Sequence, residues 1–481
     1  MAPPLPVPRL EPRQVVLGGA VGAACMAAGA YVYAPMPTIP APLNLLPIAA
    51  LRASSAGRPW GLALCFAGVV ILSLAWIALG LGVRGRRAGV GSVRIGVLAW
   101  SVPLLLAPPL FSGDGWSYVA YGYLTGHRLS PYTVTPSVLH GPIVDAVCSC
   151  WRSTPAPYGP LPLLWGGAFS RLTSSPWLLL ESYRLLALVG LALLLVAVPR
   201  LARSAGRDPA TATWLAASPF LLAHGIGGVH LDLLVIGLVA VSLLLTHERI
   251  GPNAWLAGSV GVGLAAAVKA PAAVAIVGVL LLALRPGSTP LVRARTTALA
   301  GATVIATTAL VGALGGLGMG WLSTLHVALA LHTPLSATYD VAAWTHALTG
   351  YAVEPWVDLV SLVVVAICCG LLVWRTPAGD PSRALRAVGV AMLLTTVLSP
   401  VTNYWYYLWC LPLLACCLLP SRAERCLVAG TVALGLLAPL DPGLGLPGTG
   451  WVQLAAVLGA LALALGHPLL PRRSASVSVR A

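Results

Sequence analysis

Residues 60–82 read WGLALCFAGVVILSLAWIALGLG, without one Asp, Glu, Lys or Arg. An apolar run of roughly 20 residues is long enough to cross a bilayer as a helix, and in lipid each backbone N–H and C=O must be satisfied within the protein. Similar runs occupy 14–34, 93–110, 177–199, 210–224, 230–246, 296–318, 353–374, 385–400, 403–420, 425–441 and 450–470. The chain is 58% hydrophobic and 9% charged, where a soluble domain carries about 25% charged residues. Transmembrane barrel strands would alternate apolar and polar residues, and these runs do not. The pattern predicts an all-α polytopic membrane protein, one domain over residues 1–481, whose first run follows Arg9 and Arg13 and reads as a span.

The run 254–284 is too long for one span, and Lys269 interrupts it; two short helices meeting at Lys269 are expected. The net charge is +15. Its arginines sit between apolar runs, so they read as topology signals and no nucleic-acid partner is expected. Arg84, Arg86, Arg87 and Arg94 share one loop, and Arg200, Arg203 and Arg207 another. Arg285, Arg293 and Arg295, then Arg375, Arg383 and Arg386, then Arg422 and Arg425 mark three more, with Arg9, Arg13, Arg472 and Arg473 in the tails. Placing all of them on the cytoplasmic side of a plasma membrane gives about 12–14 segments with both termini inside. The outer loops are then 35–59, 111–176, 225–229, 319–352, 401–403 and 442–449.

Asp114 opens the longest of these loops, and a long loop in a compact fold is usually functional. His224, His230 and Asp232 flank the outer turn HGIGGVHLD, Lys269 lies at the outer end of its helix pair, and Asn403 and Trp405 lie in SPVTNYWYY. Ionisable groups at membrane depth cost several kcal/mol unless paired or wet, and mark functional cavities. Asp232 can instead simply pair with Lys269, and Glu181 with Arg184 at i,i+3. Trp116, Tyr118, Tyr121 and Tyr123 surround Asp114, and aromatic faces pack on sugar C–H groups. Tyr158, Gly159 and Pro160 precede an amphipathic stretch, 161–171, expected to lie along the interface. Cys148 and Cys150 stand in a polar loop, where a disulfide is possible and zinc is poorly matched. Nucleotide-binding, zinc-helix and serine-elbow motifs are missing, so an activated donor on the outer face should arrive in the lipid.

The stretch DGWSYVAYGYLTGHRLSPYTVTP (114–136) resembles the first outer-loop motif of actinobacterial polyprenyl-phosphate-mannose-dependent α-1,6-mannosyltransferases. YGPLPLLW (158–165), GVHLDLLVIGLVA (228–240), GLAAAVKAPA (263–272) and SPVTNYWYYLWCLPLL (399–414) match in the same order. The sequence departs from the family pattern at Trp116, at Leu231, and at Asn403-Tyr404. That family belongs to the GT-C superfamily of integral-membrane glycosyltransferases, which implies a GT-C-type helix bundle whose long outer loop bears interfacial helices.

The resemblance implies a polyprenyl-phosphate mannose donor, a lipoglycan or mannan acceptor, and inversion to an α-1,6 linkage on the outer face. The acceptor hydroxyl needs a base, and Asp114 is the expected catalytic residue. The leaving phosphate needs preorganised donors; Lys269 is the first candidate, with His230 beside it and Arg128 as second choice. Trp116 and Tyr118 would hold the sugar, and Tyr158, Asn403 and Trp405 would line the sugar and acceptor side. Asp232 would orient Lys269 or His230. A phosphate leaves without an acid, so a second carboxylate is not required, and no metal or cofactor is demanded. The carboxyl of Asp114 and the ammonium of Lys269 should therefore share one external cavity. A transferase using another lipid-linked sugar, a secondary transporter and a catalytically silent scaffold remain open on the sequence.

Overall fold

The structure, a computed structural model, describes residues 11–38, 48–248, 253–325, 327, 333 and 336–440. Every regular element among them is helical. Five helices are long and apolar enough to cross a membrane: Pro12–Tyr33, Gly57–Arg84, Pro176–Ser204, Pro290–Leu314 and Glu354–Arg375. A sixth crossing would be the pair Pro219–Gly227 and Asp232–Glu248, bent by 116°. The chain is thus an all-α polytopic membrane protein. Small residues let its first two helices touch by backbone: a Cβ on Gly29 would meet the Gly61 carbonyl at 2.4 Å, and one on Gly22 the Gly68 carbonyl at 2.7 Å.

Several expected spans are not continuous helices. Residues 210–224 split into Pro209–Ala216, Pro219–Leu221 and the wider turn Leu222–Gly227, because Pro219 cannot continue the first helix. Residues 403–420 form a 3-10 turn, Tyr404–Trp409, and a short helix, Leu411–Ala415, separated at Cys410. In these two runs apolar content does not bring backbone continuity, since hydropathy registers the one and not the other. The break at Lys269 is as expected: Ala254–Ala266 ends before it, Lys269 is extended, and Ala270–Ala275 and Ile276–Ala283 follow. The span 450–470, the loop 442–449 and Arg9, Arg472 and Arg473 lie outside the described residues.

The arginine loops meet on one face. Glu424 pairs with Arg84 at 2.6 Å and with Arg207 at 2.9 Å. Arg386 donates to the Leu418 carbonyl at 2.8 Å, and Arg293 to the Val373 carbonyl at 3.0 Å. At the other end, Trp116 and Trp177 reach the carbonyls of Pro35 and Thr38. Trp177 opens the same Pro176–Ser204 helix whose far end leads to Arg207, so the two clusters lie about 40 Å apart along that helix. Arg184, buried within it, pairs with Glu181 and donates to the carbonyls of Leu105, Ala107 and Ile226. It thereby satisfies carbonyls left open just past the end of the Val90–Leu104 helix.

Candidate active site

The residues between the third apolar run and Trp177 carry five short helices, of which Asp114–Gly126 and Pro160–Ser170 are the longest. Asp114 is the first residue of its helix, and Asp232 the first of Asp232–Glu248. Both carboxylates thus sit where the helix dipole favours negative charge. The Pro160–Ser170 stretch is helical and packs on the protein, its Trp165 indole donating to the Ser182 carbonyl at 2.9 Å.

Around Asp114 the helical period decides which neighbours count. Tyr118, at i+4, shares its face, and its hydroxyl lies 3.5 Å from Asp114 Oδ2. His230 Nδ1 is 3.8 Å from the same oxygen. Oδ1 accepts from the Trp151 indole at 3.1 Å. His230 follows Val229, whose φ of 58° turns the chain sharply, and its ring stacks on Trp405 at 3.9 Å between centroids.

Lys269 Nζ donates to Asp232 Oδ2 at 2.7 Å, and Asp232 Oδ1 accepts from Trp409 Nε1 at 2.8 Å. The ammonium also lies 5.7 Å from the Tyr158 ring centre and 5.1 Å from that of Tyr406, within cation–π range. Tyr158 packs edge-on against Tyr118 at 5.0 Å, which joins the Lys269–Asp232 pair to the surroundings of Asp114. The Tyr406 backbone N–H donates to the Asn403 carbonyl at 3.1 Å. Burial raises the Tyr118 and Tyr158 hydroxyls well above the usual phenol range, so both remain protonated donors. The cluster is closed: Asp114 is 8% exposed, Lys269 6%, and His230 and Asp232 0%.

The structure brings together Asp114, Tyr118, Tyr158, His230, Asp232, Lys269 and Trp405, with Asn403 at the edge through Tyr406. Two expected site residues stand apart. Arg128 is exposed beyond the far end of the Asp114–Gly126 helix, about 20 Å along it from Asp114. Trp116, at i+2, projects from another side of that helix; its indole donates to the Pro35 carbonyl at 2.9 Å and packs on Trp177. Reading 111–176 as one outer loop concealed this, since a helix beginning at Asp114 turns position i+2 to a side of the helix away from the face that i and i+4 share. Trp151, Tyr406 and Trp409 belong to the cluster and were not singled out. The last two stand inside SPVTNYWYYLWCLPLL (399–414), where several aromatics offer the same signal.

A buried carboxylate and a paired ammonium, both wrapped in aromatics at the end of a helical membrane bundle opposite the Glu424 arginine cluster, form a candidate active site. The alpha-(1->6)-mannopyranosyltransferase N-terminal domain matches residues 15–285, and the MptB C-terminal domain matches residues 332–467. Alpha-(1->6)-mannopyranosyltransferase A of Mycobacterium tuberculosis is 35% identical over 72% of this chain and 69% of its own length. A Mycolicibacterium smegmatis protein named as a probable alpha-(1->6)-mannopyranosyltransferase is 30% identical over 90% of this chain and 84% of its own. Alpha-(1->6)-mannopyranosyltransferase A of Corynebacterium glutamicum is 28% identical over 77% and 81%. No solved structure matches the chain significantly. The chain belongs to the alpha-(1->6)-mannopyranosyltransferase family and is a mannosyltransferase.

Tyr158 is held against Lys269 by backbone. Gly159 N donates to the Val268 carbonyl at 3.0 Å and Leu161 N to the Ala267 carbonyl at 2.9 Å. A Cβ at 159 would stand 2.2 Å from the Ala267 carbonyl oxygen. Gly159→Ala is therefore expected to push Tyr158 off the lysine, with mannosyl transfer falling about tenfold or more and stability by about 1–3 kcal/mol. Transfer rate and thermal melting of the detergent-purified variant check this; unchanged transfer would remove the coupling.

Proposed function

We propose that the protein transfers mannose from polyprenyl-phosphate mannose to a lipoglycan or mannan acceptor at the outer face of the plasma membrane, in one inverting displacement. The observation that carries this reading is the single buried cluster holding a carboxylate, Asp114, and a cation, Lys269. Asp114 takes the proton of the acceptor hydroxyl as that oxygen attacks the anomeric carbon. The bond from that carbon to the phosphate oxygen breaks, and the polyprenyl phosphate leaves with the electron pair. Lys269, held by Asp232, and the donors Tyr118 and Tyr158 face the growing charge. His230 and Trp405 form a stacked wall beside the sugar, and Tyr158 and Asn403 line the acceptor side.

Two observations support the outer face. The arginines of the short loops around Arg84, Arg207, Arg386 and Glu424 join at the end of the bundle opposite the cluster and, with those around Arg293, outnumber Arg52, Arg58, Arg128, Arg152 and Arg171 on the cluster side, in keeping with positive-inside orientation. Cys148 and Cys150, next to the cluster, form a disulfide, and disulfides persist in oxidising compartments.

The test is transfer by the purified chain in nanodiscs supplied with labelled polyprenyl-phosphate mannose and a mannan oligosaccharide, followed by linkage determination. New α-1,6-mannosyl residues are expected. Transfer from a nucleotide sugar alone, or a retained β linkage, would overturn donor or stereochemistry respectively.

A further inference from the structure

The Cys148–Cys150 disulfide closes across a single residue, and Trp151 comes next. The short helix Ser149–Arg152 carries this tryptophan to Asp114, where its indole N–H binds Oδ1 at 3.1 Å. Three contacts fix the segment around it. Arg152 donates back to the Val147 carbonyl at 3.0 Å and the Asp145 carbonyl at 3.1 Å. Tyr121 donates to the Thr154 carbonyl at 2.8 Å. Gly113, just before Asp114, faces Cys148: a Cβ at 113 would stand 4.0 Å from Cys148 Cβ. The bridge therefore abuts both the start of the Asp114 helix and the residue that binds its carboxylate.

We propose that Trp151 is a positioning residue for the Asp114 carboxylate and that the Cys148–Cys150 bridge holds it in place, so that the redox state of the bridge sets the rate of transfer. This rests on the reading of Asp114 as the base. One oxygen of the carboxylate is tied to the indole, which fixes the rotamer and turns Oδ2 toward His230 and Tyr118, the side on which the acceptor hydroxyl would approach. Misplacement of a base by about 1 Å can cost about a hundredfold in rate. A dithiol reductant breaks the S–S bond: two electrons and two protons pass to Cys148 and Cys150, which become thiols, and the reductant becomes its cyclic disulfide. The turn before Trp151 then loses its closure.

The experiment measures kcat, KM for donor and acceptor, and the pH profile of kcat/KM for the full chain in nanodiscs, with labelled polyprenyl-phosphate mannose. Trp151→Phe is expected to lower kcat about tenfold with KM values within about twofold. The acid limb of its profile should move up by about one pH unit, because the carboxylate loses a donated N–H. The other titratable groups around Asp114 are Tyr118, Tyr121, Tyr158, His230, Lys269 and Tyr406, all retained in this variant. Trp151→His, which keeps an N–H, should recover part of the rate. Dithiothreitol should slow the native chain and reoxidation restore it, while Trp151→Phe and the pair Cys148→Ser/Cys150→Ser should not respond. The reduction experiment needs no variant to fold. A wild-type kcat and acid limb in Trp151→Phe, or equal inhibition of Trp151→Phe and the native chain by reductant, would overturn the proposal. Asp114→Asn separates the two ideas: if it is inactive while Trp151→Phe is normal, the positioning role alone falls, and if it turns over normally, the base itself falls.

Discussion

Asp114→Asn is expected to lower kcat for mannosyl transfer by about 10²–10⁴-fold, the range that general-base catalysis contributes, while KM for the donor changes little. The substitution is isosteric, and the amide oxygen can still accept the Trp151 indole bond, so the helix start and the packing of Tyr118 should persist. What is lost is basicity: an amide cannot take the acceptor proton. The measurement is single-turnover transfer from labelled polyprenyl-phosphate mannose beside a melting curve of the same preparation. Native turnover by a folded Asp114→Asn protein would remove Asp114 from the chemistry.

Replacing Lys269 should have the second largest effect, and here structure and catalysis must be separated. Lys269→Met leaves the Asp232 carboxylate buried with only Trp409 as its hydrogen-bond partner among those described. Breaking a buried ion pair from one side costs about 3–5 kcal/mol, so the single variant is expected to be unstable as well as inactive. The pair Lys269→Met/Asp232→Leu removes both charges and should regain most of that stability, because buried pairs can be exchanged for apolar side chains of similar size at little cost. It should not regain transfer: kcat/KM for the donor is expected to stay about 10²–10³-fold down, with a smaller change for the acceptor. Melting temperature against donor kinetics decides the matter. A stable, fully active double variant would show the pair to be structural.

Much of the architecture can be read along the chain. Helicity, membrane residence and the grouping of the arginine loops follow from bilayer energetics, which act on each segment separately. The interruption at Lys269 is also local, since an ammonium and Pro271 stand in a run otherwise long enough to cross. Continuity of the apolar runs 210–224 and 403–420 was less legible, because their prolines break helices without lowering hydropathy. The site was half legible. Asp114, His230, Asp232 and Lys269 are visible as ionisable groups in apolar surroundings, whereas Arg128 and Trp116 looked equally suitable until a helix beginning at Asp114 separated them by length and by angle.

The sequence by itself determined that this chain is a membrane-embedded helical mannosyltransferase, through motifs and apolar runs whose meaning does not depend on distant residues. Only the tertiary structure decided who partners whom. Asp232 meets Lys269 across 37 positions and Trp409 across 177, and Asp114 meets Trp151 across 37. Such pairings depend on how broken helices pack end to end, where a hydrogen bond forms only within about 3.5 Å, and spacing along the chain carries no information at that scale.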